Sequence, residues 1–254
     1  VQERGLSAYL AELIGTFLLV FFITSVVTLY VSTGSQAQFG TDYAVVGLVQ
    51  GLALFGVIVM FGAVSGGHFN PAVTLAVAAI RRISPLDAVI YILAQLSGAV
   101  LGALLTKGLL LDEGRATHYG AGQISGMLNG NFGGAVVEAV GLLALVMVVL
   151  AVVYSKKSVK DWGPLAIGTT FAFLVMVTGP LTGGCLNPAR WFGAALVGNS
   201  WGGTWPFIVG PLVGALLAVG IFKFIIEPGG SAPTEPPQRT TAAAAPSGSA
   251  KKPA

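Results

Sequence analysis

Charge is scarce in this 254-residue chain. Asp, Glu, Lys and Arg make up only 9% of it, against about a quarter of a typical soluble domain. A surface that poor in charge does not suit water, so a soluble globular protein is excluded. Cysteine occurs once, at Cys185, which excludes an internal disulfide and a cysteine-built metal site. Histidine occurs twice, at His68 and His118. No cluster offers a nucleophile, a base and an acid together, so an enzyme is not expected, and no metal or organic cofactor is implied. The 13 basic residues exceed the 10 acidic ones by three without forming a basic stripe. Nucleic acid is therefore not an expected partner.

What is present is apolar length. Hydrophobic residues make up 54% of the chain and the mean hydropathy is +0.83. Six apolar segments approach the roughly 20 residues that cross a bilayer. They cover residues 8–32, 43–64, 85–107, 134–154, 164–181 and 205–226. The first lacks a small-residue cleavage site and is read as a spanning helix, not a signal peptide. Two further stretches, 71–80 and 188–197, are too short to cross. The expected class is an all-α, multi-pass membrane protein surrounded by lipid.

Lys and Arg placement orients the spans. One set of loops carries Arg4, Arg81, Arg82, Lys156, Lys157 and Lys160; the other carries only Lys107 and Arg115. The first set is assigned to the cytoplasm, which places both termini inside. From residue 228 the chain is rich in Pro, Ala, Ser and Gly, and 228–254 is expected to be a disordered cytoplasmic tail. Residues 1–227 form the expected membrane domain.

That domain divides into two similar halves, at about 8–107 and 134–226. "AELIGTF" (11–17) opens one and "VEAVGLL" (137–143) the other, each placing a Glu three residues before a Gly. Three spans per half make the second copy enter from the opposite face, an inverted repeat whose site lies near the midplane. Pairs of glycines four apart, such as Gly47 and Gly51 or Gly98 and Gly102, suit close helix crossing.

The motif "SGGHFNPAVTL" (65–75) returns as "TGGCLNPARWF" (182–192), with Asn70 and Asn187 separated by 117 residues. Asn is a good N-cap and Pro suits the first helical turn, so Asn70-Pro71-Ala72 and Asn187-Pro188-Ala189 each begin a short helix. About nine helical residues rise roughly 14 Å, near half the hydrocarbon thickness. Two such half-helices dipping from opposite faces meet at the centre. Loop backbone at that depth is tolerated only where it lines a wet cavity. Both positive dipole ends face the meeting point and repel cations. A water accepting from both Asn side chains turns its hydrogens away, which breaks a proton wire.

With these paired motifs the chain resembles the aquaporin (major intrinsic protein) family, from about residue 7 to residue 227. The resemblance implies six transmembrane helices plus two re-entrant half-helices. It also implies a homotetramer with one pore per subunit, and passive passage of water. Arg190 then belongs to a constriction with Gln50, Val175 and Gly184, at the family's spacings from the two Asn residues. Water channels usually carry Phe and His at the first two positions, and glycerol channels Trp, Gly and Phe at the first three. This set is smaller and less aromatic, and Trp191 stands where glycerol channels commonly have Asp. The pattern is nearest that of plant tonoplast intrinsic proteins.

Those proteins sometimes add a loop histidine, and "ATHYGAG" (116–122) offers His118. Either His118 folds over the pore mouth beside Arg190, or it is a solvated loop residue. In the first case ammonia is expected to pass as well as water. The resemblance further implies that Glu12 and Glu138 support the half-helix loops, and that His68 lines the cytoplasmic half of the pore. Backbone carbonyls of Gly66, Gly67, Gly183 and Gly184 are expected along it. Cys185 is either a small buried residue or a thiol facing the lumen. Competing readings are a glycerol or urea facilitator, an ion channel, a closed-pore scaffold and a secondary transporter, which also uses broken helices. The bare loops and the Ala/Pro tail suit a bacterial cytoplasmic membrane.

Overall fold

The structure, a computed structural model, describes residues 5–31, 42–155 and 160–227. Arg4, Lys156, Lys157 and the expected tail at 228–254 lie outside the described residues. In chain order the helices are α1 (Leu6–Tyr30), α2 (Tyr43–Ser65), a short α3 (Pro71–Ala79) and α4 (Pro85–Leu109). There follow a single-turn α5 (Glu113–Ala116), α6 (Gly130–Val149), α7 (Gly163–Thr182), a short α8 (Pro188–Gly198) and α9 (Thr204–Ile221). Wider π-type turns, Leu150–Tyr154 and Phe222–Ile226, extend α6 and α9.

Six of these helices are long and apolar enough to cross a membrane, and they lie where hydropathy places them. The fourth span starts at Gly130, four residues before the expected 134. Gly130, Asn131 and Gly133 carry too little apolar surface for hydropathy to mark that first turn. The outward faces carry Leu52, Met60, Leu93, Val140, Val177 and Leu217. Such an apolar exterior suits lipid contact.

Caps set the ends of several spans. Asp42 Oδ1 accepts from Ala44 N–H at 2.9 Å and Val45 N–H at 3.0 Å, starting α2. Ser84 Oγ accepts from Asp87 N–H at 3.0 Å, starting α4. Asp87 in turn accepts from Tyr9 Oη–H at 2.6 Å, tying α4 to α1.

The two halves pack alike. α1 lies on α4 and α6 on α9, while α2 meets α7 where the halves join. Glycines permit the close approach. A Cβ on Gly98 would sit 2.3 Å from the Leu13 carbonyl oxygen, and one on Gly102 2.5 Å from that of Phe17. At the seam between the halves Gly51 and Gly168, themselves 117 residues apart, each face the other's carbonyl oxygen.

α3 and α8 have 9 and 11 residues, roughly 14 and 17 Å at 1.5 Å per residue. Each follows a loop with the same backbone course. α2 ends at Gly66 (φ 92°) and α7 at Gly183 (φ 81°), both left-handed. Phe69 (φ 47°) and Leu186 (φ 45°) then take the same left-handed turn just before the two Asn residues. A shared, strained course in two halves of different sequence is what an inverted repeat requires.

Gly98→Ala is expected to lower thermal stability in detergent by about 1–3 kcal/mol, because its methyl meets backbone that cannot yield. Gly108, with open space around its would-be Cβ, is the control; Gly108→Ala should cost nothing and gain up to about 1 kcal/mol of helix propensity.

Candidate functional site

The site begins at the two half-helix tips. Asn70 Oδ1 accepts from Ala72 N–H at 2.9 Å, and its Nδ2 donates to the Leu186 carbonyl at 2.9 Å. Asn187 mirrors it. Its Oδ1 accepts from Ala189 N–H at 2.9 Å and Arg190 N–H at 3.2 Å, and its Nδ2 donates to the Phe69 carbonyl at 2.9 Å. Capping thus occupies the amide oxygens and the cross-bridge one N–H of each nitrogen. A primary amide carries two N–H bonds, so one remains on each Asn. Both side chains border the same cavity.

The loops before the tips hang from buried carboxylates. Glu12 Oε1 accepts from His68 N–H at 2.9 Å and Ser65 Oγ–H at 2.6 Å, and Oε2 from Phe69 N–H at 2.7 Å and Gln95 Nε2–H at 2.8 Å. Glu138 Oε1 accepts from Cys185 N–H at 3.2 Å and Thr182 Oγ–H at 2.6 Å, and Oε2 from Leu186 N–H at 2.7 Å. Strongly turned loops leave N–H groups that no helix can satisfy, and buried polar groups need partners. One carboxylate per loop supplies them. Ser65 and Thr182 occupy equivalent positions at the head of the two motifs, so the repeat itself marks their hydroxyls. Gln95 and Tyr91, whose hydroxyl donates to the Ser65 carbonyl at 2.7 Å, had no local signature.

Two cavities approach the tips from opposite ends. One, called inner after the side expected to be cytoplasmic, has about 450 Å³ and is bordered by Asn70, Asn187, His68, Gly66 and Gly67 among apolar side chains such as Leu54 and Phe171. His68 Nδ1 lies 3.1 Å from Thr74 Oγ1. The outer one, about 480 Å³, is bordered by Arg190, Gly183, His118, Gly120, Tyr43 and Gln123. His118 is exposed there and borders the same cavity as Arg190.

Gln50, Val175 and Gly184 border neither cavity and are fully buried. Gly184 abuts Val175, since a Cβ on it would lie 3.3 Å from Val175 Cγ1. Both polar atoms of the Gln50 amide lack a protein partner. Of the four glycines expected along the pore, Gly66 and Gly67 border the inner cavity and Gly183 the outer one, while Gly184 is buried and borders neither.

Arg190 is wholly buried. Its Nη1 donates to the Gly120 carbonyl at 2.8 Å and to Cys185 Sγ at 3.1 Å, and its Nη2 to the Gly183 carbonyl at 3.4 Å. Cys185 borders neither cavity and packs with Trp191, Ala195 and Phe207. Its sulfur therefore faces protein and not a lumen. The Gly120 acceptor lies inside the stretch that drew attention to His118, but a backbone carbonyl leaves no side-chain pattern to read.

The sequence profile of the Major intrinsic protein family matches residues 2–222. The chain belongs to the major intrinsic protein family. Among its relatives, glycerol uptake facilitator protein-like 6 of Lactiplantibacillus plantarum is 40% identical over 83% of this chain and 94% of its own. Aquaporin TIP4-4 of Zea mays is 43% identical over 83% of each. In fold the chain superposes on the aquaglyceroporin of Plasmodium falciparum with a TM-score of 0.76 at 23% identity, over 87% of this chain and 97% of that one. Members of this family are channels and not enzymes. This protein is therefore an integral, multi-pass membrane channel for water or small solutes.

Glu138→Gln turns one acceptor oxygen into a donor facing the 185–186 backbone. With hydrogen bonds to a charged group worth about 1.5–3 kcal/mol, it is expected to lower unfolding stability in detergent by about 2 kcal/mol or more. Thr182→Val removes one donor to that carboxylate and the hydroxyl that accepts from Gly184 N–H at 3.3 Å, and should lower it by about 1–3 kcal/mol.

Proposed function

We propose that this member of the family is a passive, proton-excluding water pore. The observation that carries the reading is the reciprocal bridge of Asn70 to Leu186 and Asn187 to Phe69, both at 2.9 Å. It holds two helix N-termini face to face, each with an uncommitted amide N–H. Two donors and two positive dipole ends favour a water oxygen over any cation. A water that accepts from both amides cannot also accept a proton from its neighbour along the file.

Gln50, Val175, Gly184 and Arg190 are assigned to the constriction, with His118 at its outer mouth and His68 and the Gly66–Gly67 backbone on its inner side. Gln50 is buried with both polar atoms of its amide lacking a protein partner, and a buried amide calls for one; a water in the constriction would supply it. Neither Val175 nor Gly184 is aromatic, so no ring pair cradles a carbon chain. That favours water, and ammonia beside it through His118. Glycerol is the second reading, favoured by the relative named a glycerol uptake facilitator-like protein. We place the protein as a homotetramer in a bacterial cytoplasmic membrane with both termini inside, the side that carries Arg81 and Arg82.

Stopped-flow light scattering on proteoliposomes tests the reading. Rapid osmotic shrinkage with a low activation energy and no proton flux down a pH gradient is expected; a need for an ion gradient would mean a carrier. Arg190→Val replaces the guanidinium of the constriction with a shorter, neutral side chain that leaves more room for a carbon chain. Glycerol permeability relative to water should therefore rise about tenfold or more. Ammonia-driven alkalinisation should exceed that of empty vesicles and fall in His118→Ala; alkalinisation equal to that of empty vesicles removes ammonia from the solute list.

A further inference from the structure

Lys107 sits on the face otherwise short of cations. The structure gives its amine two partners. Nζ donates to the Val197 carbonyl at 3.1 Å and lies 5.3 Å from the centroid of the Tyr119 ring. Val197 is in the last turn of α8. Before it, the Ala195 and Leu196 carbonyls accept from Ser200 and Asn199 N–H. Lys107 takes a carbonyl left over by that turn, and its charge suits the negative end of the helix. The cation–ring contact adds to the attraction.

Tyr119 belongs to the turn that reaches Arg190. It is buried, and its hydroxyl donates to the Leu111 carbonyl at 2.8 Å. His118, Tyr119 and Gly120 are all left-handed, with φ of 47°, 52° and 75°. This backbone lies directly on the end of α8, since a Cβ on Gly198 would fall 2.2 Å from the His118 carbonyl oxygen. The next carbonyl but one, Gly120, is the one that accepts from Arg190 Nη1. One amine therefore fastens the far end of the helix that carries Arg190. It also seats the turn that supplies an acceptor to Arg190.

The opposite face holds a mate without this link. Lys223 Nζ donates to the Ala79 carbonyl at 3.3 Å, at the end of α3. The preceding Ala76, Val77 and Ala78 carbonyls accept from Ile80, Arg82 and Arg81 N–H. Each half-helix is thus capped by a lysine from the other repeat. Only the outer lysine touches the turn that bonds Arg190.

We propose that Lys107 is a positioning residue for the Arg190 constriction, holding α8 and the 118–120 turn in register so that the Gly120 carbonyl fixes the guanidinium. This rests on reading Arg190 as the selectivity-determining charge. A shifted guanidinium changes which solutes pass, whereas a lysine that merely stabilised the fold would not.

The test is the ratio of glycerol to water permeability in proteoliposomes, with thermal stability in detergent measured alongside. Lys107→Met and the shorter Lys107→Gln are expected to raise the ratio about threefold or more. Lys107→Arg, which keeps charge, donor and ring contact, should restore it to that of the unmodified protein. Lys223→Met should lower stability yet leave the ratio unchanged. The proposal is overturned if both neutral Lys107 variants keep the original ratio, or if Lys223→Met raises it equally. Arg190→Val separates the two levels. A raised ratio there with silent Lys107 variants removes only the positioning role, and an unchanged ratio there removes the reading of Arg190 and this proposal with it.

Discussion

The structure depends on one constraint: two helix N-termini must face each other inside a membrane without leaving polar backbone unsatisfied. In hydrocarbon an unpaired N–H is expensive, and each half-helix brings several. The Asn pair solves part of this. Each Asn caps its own helix through its oxygen and bonds the opposite loop through its nitrogen. The bridge is mutual, so neither tip can shift without breaking both contacts. Glu12 and Glu138 accept from two loop N–H groups each and keep the left-handed turns at Phe69 and Leu186 in place, while the Ser65 and Thr182 hydroxyls accept from Gly67 and Gly184 N–H.

From that junction the electrostatics follow. The axis is positive at its centre because two dipoles converge there, and positive again at Arg190, which the Gly120 and Gly183 carbonyls hold. The repeats are symmetric in backbone but not in this charge. Val73 stands in the first half where Arg190 stands in the second, and His68 where Cys185 stands. Inner and outer halves therefore differ: one cavity is largely apolar with a histidine, and the other ends on a guanidinium. The glycine-lined crossings at Gly98, Gly102 and the Gly51–Gly168 seam keep the helices near enough for these contacts to form.

Much of this was legible in the chain itself, because it rests on short patterns. Apolar length marks the six spans, and the doubled Gly-Gly-x-x-Asn-Pro-Ala motif marks both half-helices and their inverted relation. The Glu12 and Glu138 pairing was visible through matching positions. What escaped was long-range or carried by backbone. Gln95 reaches Glu12 across two helices, and nothing near residue 95 announces it. Gly120 acts through a carbonyl, which every residue possesses. Lys107 reads from sequence as a loop-edge charge useful for orientation, and Lys223 falls within the last apolar segment with no motif around it, yet each ends a half-helix of the other repeat. Cys185 had two open orientations because the loop has no period to fix a direction; packing against Trp191 and Phe207 chose the buried one.

The central claim is that Asn70 and Asn187 meet at mid-depth and point one amide N–H each into a single wet passage. An experimental structure in lipid, at a resolution that orders water, tests it most directly. The account predicts one water oxygen within hydrogen-bond distance of both Nδ2 atoms, on a continuous file from the inner to the outer cavity. Asn side chains that point away from that file, or tips separated so that neither Nδ2 reaches the opposite loop carbonyl, would contradict it.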